Sequence, residues 1–141
     1  MSTLAKIIVF LLLSQTAINA QDVNGQQITV KVENLESNKG HIYMSLYNTE
    51  TSFLSKGYKS NISSIESNSC TVIFKDVPKG TYAISFFHDE NENKKMDTNF
   101  LGIPSEDYGC SNNATGFMGP PRWDDAKFVV KNESLTQTIT L

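Results

Sequence analysis

The chain has 141 residues and a small excess of acidic side chains, which gives a net charge of −3 at neutral pH. This length suits one domain with a real core and is too short for two. Apart from the Lys94–Lys95 pair, no cluster of basic residues offers a surface to a nucleic-acid backbone or an anionic membrane. We therefore expect no nucleic-acid partner.

The first element is a predicted secretory signal peptide, residues 1–20. Lys6 precedes an apolar run, residues 7–13, and Ala20 supplies a small residue at the cleavage site. Because the run is well short of the roughly 20 apolar residues of a membrane-spanning helix, no membrane insertion is expected. Removal of the peptide also removes Lys6, which changes the net charge from −3 to −4. We expect an exported protein, periplasmic or secreted, with a single domain at residues 21–141.

Apolar side chains alternate along much of the mature chain, with the period of two that indicates half-buried strands. The three clearest runs are Ile28, Val30 and Val32; Ile42, Met44 and Leu46; and Tyr82, Ile84 and Phe86. Shorter runs lie at residues 70–74, 127–130 and 135–141, and the best helix candidate, residues 51–58, is one or two turns long. Short polar turns separate the runs. The pattern predicts an all-β fold, an antiparallel β-sandwich of about seven strands with one long ordered loop near residues 88–125.

The two cysteines, Cys70 and Cys110, would reach an oxidising compartment, where an even count favours a disulfide. Such a bond would close a loop of roughly 40 residues and stabilise the fold by about 4 kcal/mol in the chain-entropy model. The alternative is a pair of buried thiols that lie too far apart to bond.

The long loop opens with oxygen-bearing side chains in the pattern of a Ca²⁺-binding loop. The first, third, fifth and ninth positions of that pattern are Asp89, Asn91, Asn93 and Asp97. Lys95 would add its backbone carbonyl, and Glu106 can fold back as a further carboxylate. Phe100 stands at the twelfth position in place of the usual bidentate glutamate, so the loop is no standard EF-hand. The alternative is a series of Asx turns, in which these side chains hydrogen-bond their own backbone.

His88 shares the parity of the apolar residues of its strand, so we expect it to face the core and hydrogen-bond the loop backbone. The alternative makes His88 a metal ligand or general base, paired with Asp89 or Glu106 in a hydrolase or lyase. His41 is the only other histidine, and nothing in the local sequence places it beside His88.

Ser111 and Asn112 lie further along the loop, where we expect them to organise it through hydrogen bonds. A nucleophilic Ser111 is disfavoured because no G-x-S-x-G elbow surrounds it. Four aromatic residues of this region either form a small satellite core or anchor a sugar or protein ligand: Phe100, Tyr108, Phe117 and Trp123.

Two segments of the chain resemble known families. Residues 74–84 resemble a hairpin of transthyretin-like and carboxypeptidase-regulatory-like sandwiches. The polar motif that continues from it includes the runs His88-Asp89-Glu90-Asn91-Glu92-Asn93, Asp97-Thr98-Asn99-Phe100-Leu101-Gly102-Ile103-Pro104 and Gly119-Pro120-Pro121. With this motif, nearly all of the mature chain closely resembles domain of unknown function 2141 (DUF2141), a family of small exported bacterial proteins. The resemblance implies a fold and a location but no activity.

The chain departs from the family pattern at two positions. Lys94 stands where the resemblance leads one to expect glycine, and Cys110 stands where an aromatic residue is usual. The first departure disfavours Ca²⁺, because a side chain at the sixth position of the loop opposes its sharp turn by about 1 to 2 kcal/mol.

The function that the sequence favours is that of an exported, non-catalytic binding or accessory domain, with Ca²⁺ as the one candidate cofactor and an unidentified protein or glycan as the ligand. The alternatives are the His88 hydrolase or lyase and a structural envelope component with no ligand. The sequence lacks H-E-x-x-H, C-x-x-C and phosphate-loop patterns, which removes the main support for metalloprotease, redox and nucleotide-binding classes.

Overall fold

The computed structural model describes residues 25–141, which form eight strands, one 3₁₀ turn (Ser111–Asn113) and one short helix, α1 (Trp123–Ala126). The strands are β1 (Gln26–Glu33), β2 (His41–Tyr47), β3 (Lys59–Ser63), β4 (Cys70–Val77), β5 (Gly80–Asp89), β6 (Tyr108–Cys110), β7 (Phe128–Val130) and β8 (Leu135–Thr140). The predicted signal peptide, residues 1–20, lies outside the described residues. No helix within the described range is long and apolar enough to cross a membrane.

The strands form two sheets, as the predicted β-sandwich requires. One sheet has three strands in the order β4-β1-β8, and the other has five, in the order β3-β2-β5-β6 with β7 also paired to β5. All of these pairs are antiparallel except β1 with β8, whose parallel register sets Ile28 beside Leu135 and Val32 beside Ile139. Alternation has the same period in both orientations, so it does not reveal a parallel pair.

The core lies between the two sheets and contains the three alternating sets that the sequence predicts. Each of these residues is at most 4% exposed: Ile28, Val30, Val32, Ile42, Met44, Leu46, Tyr82, Ile84 and Phe86. They form one cluster with Val72, Phe74 and Ile139 of the strands on either side of β1. Burial of this apolar surface, at about 25 cal/mol per Å², is the main force that holds the two sheets together.

Three elements differ from the prediction, and one of them is the three-residue strand β6, which lies within the predicted long loop. Residues 51–58 form turns and no helix, and they are held by local bonds such as the Ser55 and Lys56 N–H groups to the Ser52 carbonyl. Strand β3 is not predicted, because its one large apolar side chain, Ile62, is 60% exposed and gives no alternation signal. An edge strand of this kind is held by its backbone ladder to β2 rather than by a buried face.

The two cysteines do not form the expected disulfide in this structure, where both are free and buried. Cys70 begins β4 in the three-stranded sheet and belongs to the main core. Cys110 ends β6 in the five-stranded sheet and packs in a second, small cluster with Ala83 and Ala126. The two thiols therefore lie in different sheets and in different clusters.

Candidate metal centre

The candidate cation loop leaves the end of β5 and begins with a buried carboxylate. Asp89 is fully buried, and its Oδ1 and Oδ2 accept the backbone N–H groups of Asn93 (3.1 Å) and Lys94 (2.7 Å). Glu92 and Lys94 both have positive φ, at 58° and 64°, so the chain turns tightly around this carboxylate. Lys94 thus adopts the left-handed conformation that glycine favours, in spite of its side chain.

The amides of the loop form the Asx turns that the sequence analysis gave as its alternative. Asn91 Oδ1 accepts the N–H of Asn93 at 3.2 Å, and Asn93 Oδ1 accepts the N–H of Lys95 at 2.9 Å. Their NH₂ groups converge on one carboxylate, that of Asp97, at 2.5 Å from Asn91 and 2.8 Å from Asn93. Four of the predicted ligand residues are therefore joined in one hydrogen-bonded cluster.

Glu106 folds back onto this cluster, as the sequence analysis expects. Its Oε2 accepts the N–H of Asp97 at 3.0 Å, while the N–H of Ser105 donates to the Asp97 carbonyl at 2.9 Å. Glu106 Oε1 and Asp107 Oδ2 are buried and have no hydrogen-bond partner. An open concavity of about 300 Å³ lies here, lined by Glu36, Glu90, Asn91, Asp97, Ser105, Glu106 and Asp107. The site thus gathers five carboxylates at one concave surface.

The ligand atoms at this site are of the chemical type that hard cations prefer. Carboxylate, amide and carbonyl oxygens are the ligands of Ca²⁺, and a carboxylate oxygen that accepts one N–H keeps a lone pair for a metal. Within residues 25–141, however, no group of three or more His, Cys, Asp or Glu side chains is arranged to hold a metal. A Ca²⁺ ion would therefore depend on the Asn91 and Asn93 amides turning their oxygens towards Asp97. Phe100, at the twelfth position, is 95% exposed and is no ligand.

His88 lies on the core side of β5, where it is fully buried. Its Nε2–H donates to the Lys39 carbonyl at 2.6 Å, while Nδ1 has no hydrogen-bond partner and stands 3.8 Å from Glu90 Oε1. Gly40, with φ of 66°, packs directly against the Asp89 carbonyl, where a Cβ would not fit. His88 therefore ties the β1–β2 connection to the end of β5.

The hydrolase or lyase alternative requires an accessible His88 with a carboxylate in hydrogen-bond reach. The ring is fully buried, and Glu90 Oε1, at 3.8 Å from Nδ1, is beyond hydrogen-bond reach. The two proposed partners bond elsewhere: Asp89 accepts loop N–H groups, and Glu106 accepts the N–H of Asp97. The structure does not bring His41 to it either: His41 pairs with Asp89 across the β2–β5 ladder, on the outward face, and its Nδ1 stands 3.2 Å from Glu92 Oε1. We therefore do not propose a reaction at His88.

Ser111 and Asn112 connect segments that are distant in sequence. The fully buried Ser111 hydroxyl accepts the Ile84 N–H at 2.9 Å and donates to the Ala126 carbonyl at 2.5 Å. Asn112 has φ of 59°, and its amide donates to the Asp125 carbonyl at 3.2 Å and to the Lys127 carbonyl at 2.9 Å. These bonds hold the loop, α1 and β5 together.

Of the four aromatic residues of the loop region, one belongs to a satellite core and three are exposed. Trp123 stacks edge-on against Phe53 at 5.7 Å in the second cluster, which makes it part of a satellite core. Phe100 and Phe117 are 95% and 93% exposed, and Tyr108 is also exposed. The sequence analysis missed another aromatic pair, Tyr43 and Phe87, on the outward face of the five-stranded sheet. The signal was present, because both residues occupy the outward positions of predicted strands.

Comparisons with known proteins yield one family. The chain matches no curated protein and no solved structure. The matching family model covers residues 30–138, from the middle of β1 to β8, and its description is "Uncharacterized protein conserved in bacteria". Since this match covers well over half of the chain and includes the candidate site, the chain belongs to the DUF2141 family.

Proposed function

We propose that this protein is an exported, non-catalytic binding or accessory domain whose 89–97 loop holds a structural Ca²⁺ ion. The ligands are the side-chain oxygens of Asp89, Asn91, Asn93, Asp97 and Glu106, with the Lys95 carbonyl. The observation that carries the proposal is the convergence of the Asn91 and Asn93 amides on Asp97, beside a Glu106 oxygen that is buried and unpartnered. The ion would join both ends of the long loop, from β5 to β6.

Charge also supports a cation at this surface. Asp97 and Glu106 face each other across the turn with Glu90 and Glu36 on the same concavity, and no lysine or arginine lines it. Like charges in such proximity repel, and a divalent ion removes the repulsion. The predicted signal peptide supports export, where millimolar Ca²⁺ sites of extracellular modules operate.

The test of the cation is a Ca²⁺-dependent shift in stability. With a dissociation constant of roughly 10⁻⁴ to 10⁻³ M, about 10 mM Ca²⁺ should stabilise the fold by about 1.4 to 2.7 kcal/mol over a chelator. Thermal melts and urea denaturation measure this difference. Asp97→Asn should abolish it, whereas Glu92→Gln, which removes an exposed carboxylate of the same loop, should leave it intact. No shift in the unmodified protein would reject the ion.

Export has its own test. Expression of the full chain, followed by cell fractionation and N-terminal sequencing, should recover a protein that begins at Gln21 in the periplasm or the medium. Recovery of uncleaved protein from the cytoplasm would contradict the proposal.

A further inference from the structure

A second concave surface lies on the outward face of the five-stranded sheet, away from the carboxylates of the candidate cation site. It is a groove of about 540 Å³ whose lining includes Tyr43, Tyr47, Ser85 and Phe87. The lining residues come from β2, β3 and β5, with Lys94 added by the loop. The neighbouring cluster around Phe53 and Trp123 covers only the Tyr47 end of this face. The rest of the outward face therefore remains open.

A stacked pair of aromatic rings, here called the platform, projects into the groove. Tyr43 and Phe87 are direct partners in the β2–β5 ladder, and their rings stack with centroids 5.2 Å apart and planes only 10° from parallel. Each ring keeps one face that its partner does not cover, on the side of Ile62 for Tyr43 and on the side of Tyr108 for Phe87. The apolar C–H face of a pyranose ring packs well on an aromatic face, and so the platform suits a sugar.

Hydroxyl groups surround the platform in pairs. Ser45 Oγ and Ser60 Oγ are 2.9 Å apart, and Tyr47 Oη and Ser85 Oγ are 3.1 Å apart. A hydroxyl both donates and accepts, so each pair can also bond the hydroxyl of a sugar. The backbone beneath is engaged in the ladders of β2 with β3 and β5, which leaves recognition to side chains. A peptide that binds through its backbone would lack partners on this floor.

Lys94 is the only charged residue among those that line the groove. Its side chain is exposed, and its backbone is fixed by the bond from its N–H to the buried Asp89 carboxylate. A positive φ of 64° makes a side chain unfavourable at this position, yet the chain carries a cationic one here. A cation beside an otherwise neutral groove complements a negatively charged group on the ligand.

We propose that this groove binds an acidic oligosaccharide, with a sugar ring stacked on the uncovered face of Tyr43 or of Phe87 and a uronate carboxylate paired with Lys94. The inference rests on the binding role proposed above and does not require the Ca²⁺ ion. The volume of about 540 Å³ lies within the range of small-ligand clefts, and the single cation is too little for a nucleic-acid backbone.

Calorimetric titration of the purified protein with tetragalacturonate tests the proposal. The titration is run in EDTA, because uronates bind Ca²⁺ themselves. We expect saturable binding at millimolar sugar, about ten-fold weaker in Tyr43→Ala and about five-fold weaker in Lys94→Gln. The matched controls are Phe117→Ala and Lys95→Gln, an exposed aromatic residue and an exposed lysine that do not line the groove, and both should bind like the unmodified protein.

Four results would overturn the proposal: no binding of tetragalacturonate, equal binding of neutral maltotetraose, equal binding of a tetraglutamate peptide, or equal losses in Lys94→Gln and Lys95→Gln. The circular dichroism spectrum and melting temperature of each variant show that it is folded. If Ca²⁺ stabilises the protein but the sugar does not bind, the cation site is supported and the groove proposal is rejected. If the sugar binds but Ca²⁺ does not stabilise the protein, the groove proposal is supported and the cation site is rejected.

Discussion

The Ser111 hydroxyl accepts the backbone N–H of Ile84 at 2.9 Å, in the gap where strand β5 passes from one neighbour to the next. On this edge, β7 pairs with Gly80 through Tyr82, and β6 pairs with Ser85 through Phe87. Ile84 lies between the two ladders, so a side chain supplies the bond that a strand would otherwise supply. The same hydroxyl donates to the Ala126 carbonyl and fixes α1 beside the gap.

Ser111→Ala should therefore be strongly destabilising. The change leaves the Ile84 N–H and the Ala126 carbonyl unpaired in a fully buried place, at about 1 to 3 kcal/mol for each group. We expect a loss of about 2 to 4 kcal/mol in the free energy of unfolding, measured by urea denaturation. Ser55→Ala, which removes an exposed hydroxyl bonded only to the Ser52 carbonyl, should change it by less than about 0.5 kcal/mol. Equal effects of the two changes would contradict this role for Ser111.

The β-sandwich could be predicted because most of its strands show a local pattern of alternating apolar residues. Residues such as Val30, Met44 and Ile84 repeat with the period of a strand, and that period alone assigns them to one face. Strands β3 and β6 escape the same reasoning, because Ile62 and Tyr108 are exposed and their strands are held by backbone ladders. The bond from Ser111 to Ile84 spans 27 residues and leaves no periodic trace.

Asp89 should be the main stabilising residue of the long loop. Both oxygens of its buried carboxylate accept backbone N–H groups, and bonds to a charged acceptor contribute about 1.5 to 3 kcal/mol each. Asp89→Asn keeps the shape but turns an NH₂ group towards one of these donors. We expect a loss of about 2 to 3 kcal/mol in chelator, measured by urea denaturation, and faster amide exchange at Asn93 and Lys94. Glu92→Gln is the control, and a loss no larger than that of the control would contradict the assignment.

Lys94 shows where the sequence argument was incomplete. A side chain at the sixth position of the loop does oppose the turn. Lys94 nevertheless adopts φ of 64°, because its backbone N–H donates a hydrogen bond to the Asp89 carboxylate. The cost of the left-handed conformation for a residue with a side chain, about 1 to 2 kcal/mol, is thus outweighed by a hydrogen bond to a buried carboxylate. The glycine-like geometry can therefore persist without glycine.

Lys94→Gly should stabilise the protein by about 1 kcal/mol, because it relieves the left-handed conformation at a modest cost in chain entropy. Lys95→Gly is the matched control. Lys95 is not among the residues with positive φ, so the control should destabilise by about 0.5 to 1 kcal/mol. Urea denaturation of both variants measures the contrast. A loss of stability in Lys94→Gly would mean that the lysine side chain contributes more to the folded state than its exposed position indicates.

The cysteines should behave as two protected thiols. Burial raises the pKa of the Cys110 thiol to about 12 and also raises the pKa of the Cys70 thiol, so neither forms the reactive thiolate at neutral pH. A thiol reagent at pH 8 should label neither residue in the native protein and both in concentrated guanidinium. Absence of titratable thiols in the denaturant would reveal a disulfide between them and would contradict the two free cysteines of this structure.

Alkaline pH should destabilise the fold through Cys110. Its pKa rises from 9.0 in the unfolded reference to about 12, so the folded state holds the proton more tightly. The resulting stability is fully present below pH 9 and is lost as the pH rises towards 12. Between pH 8 and pH 11 this amounts to about 2 to 3 kcal/mol. Cys110→Ala, in a cluster that already holds Ala83 and Ala126, should lack this part of the loss. Urea denaturation across this range measures the difference, and parallel pH profiles for the variant and the unmodified protein would show that the Cys110 thiol does not titrate with unfolding.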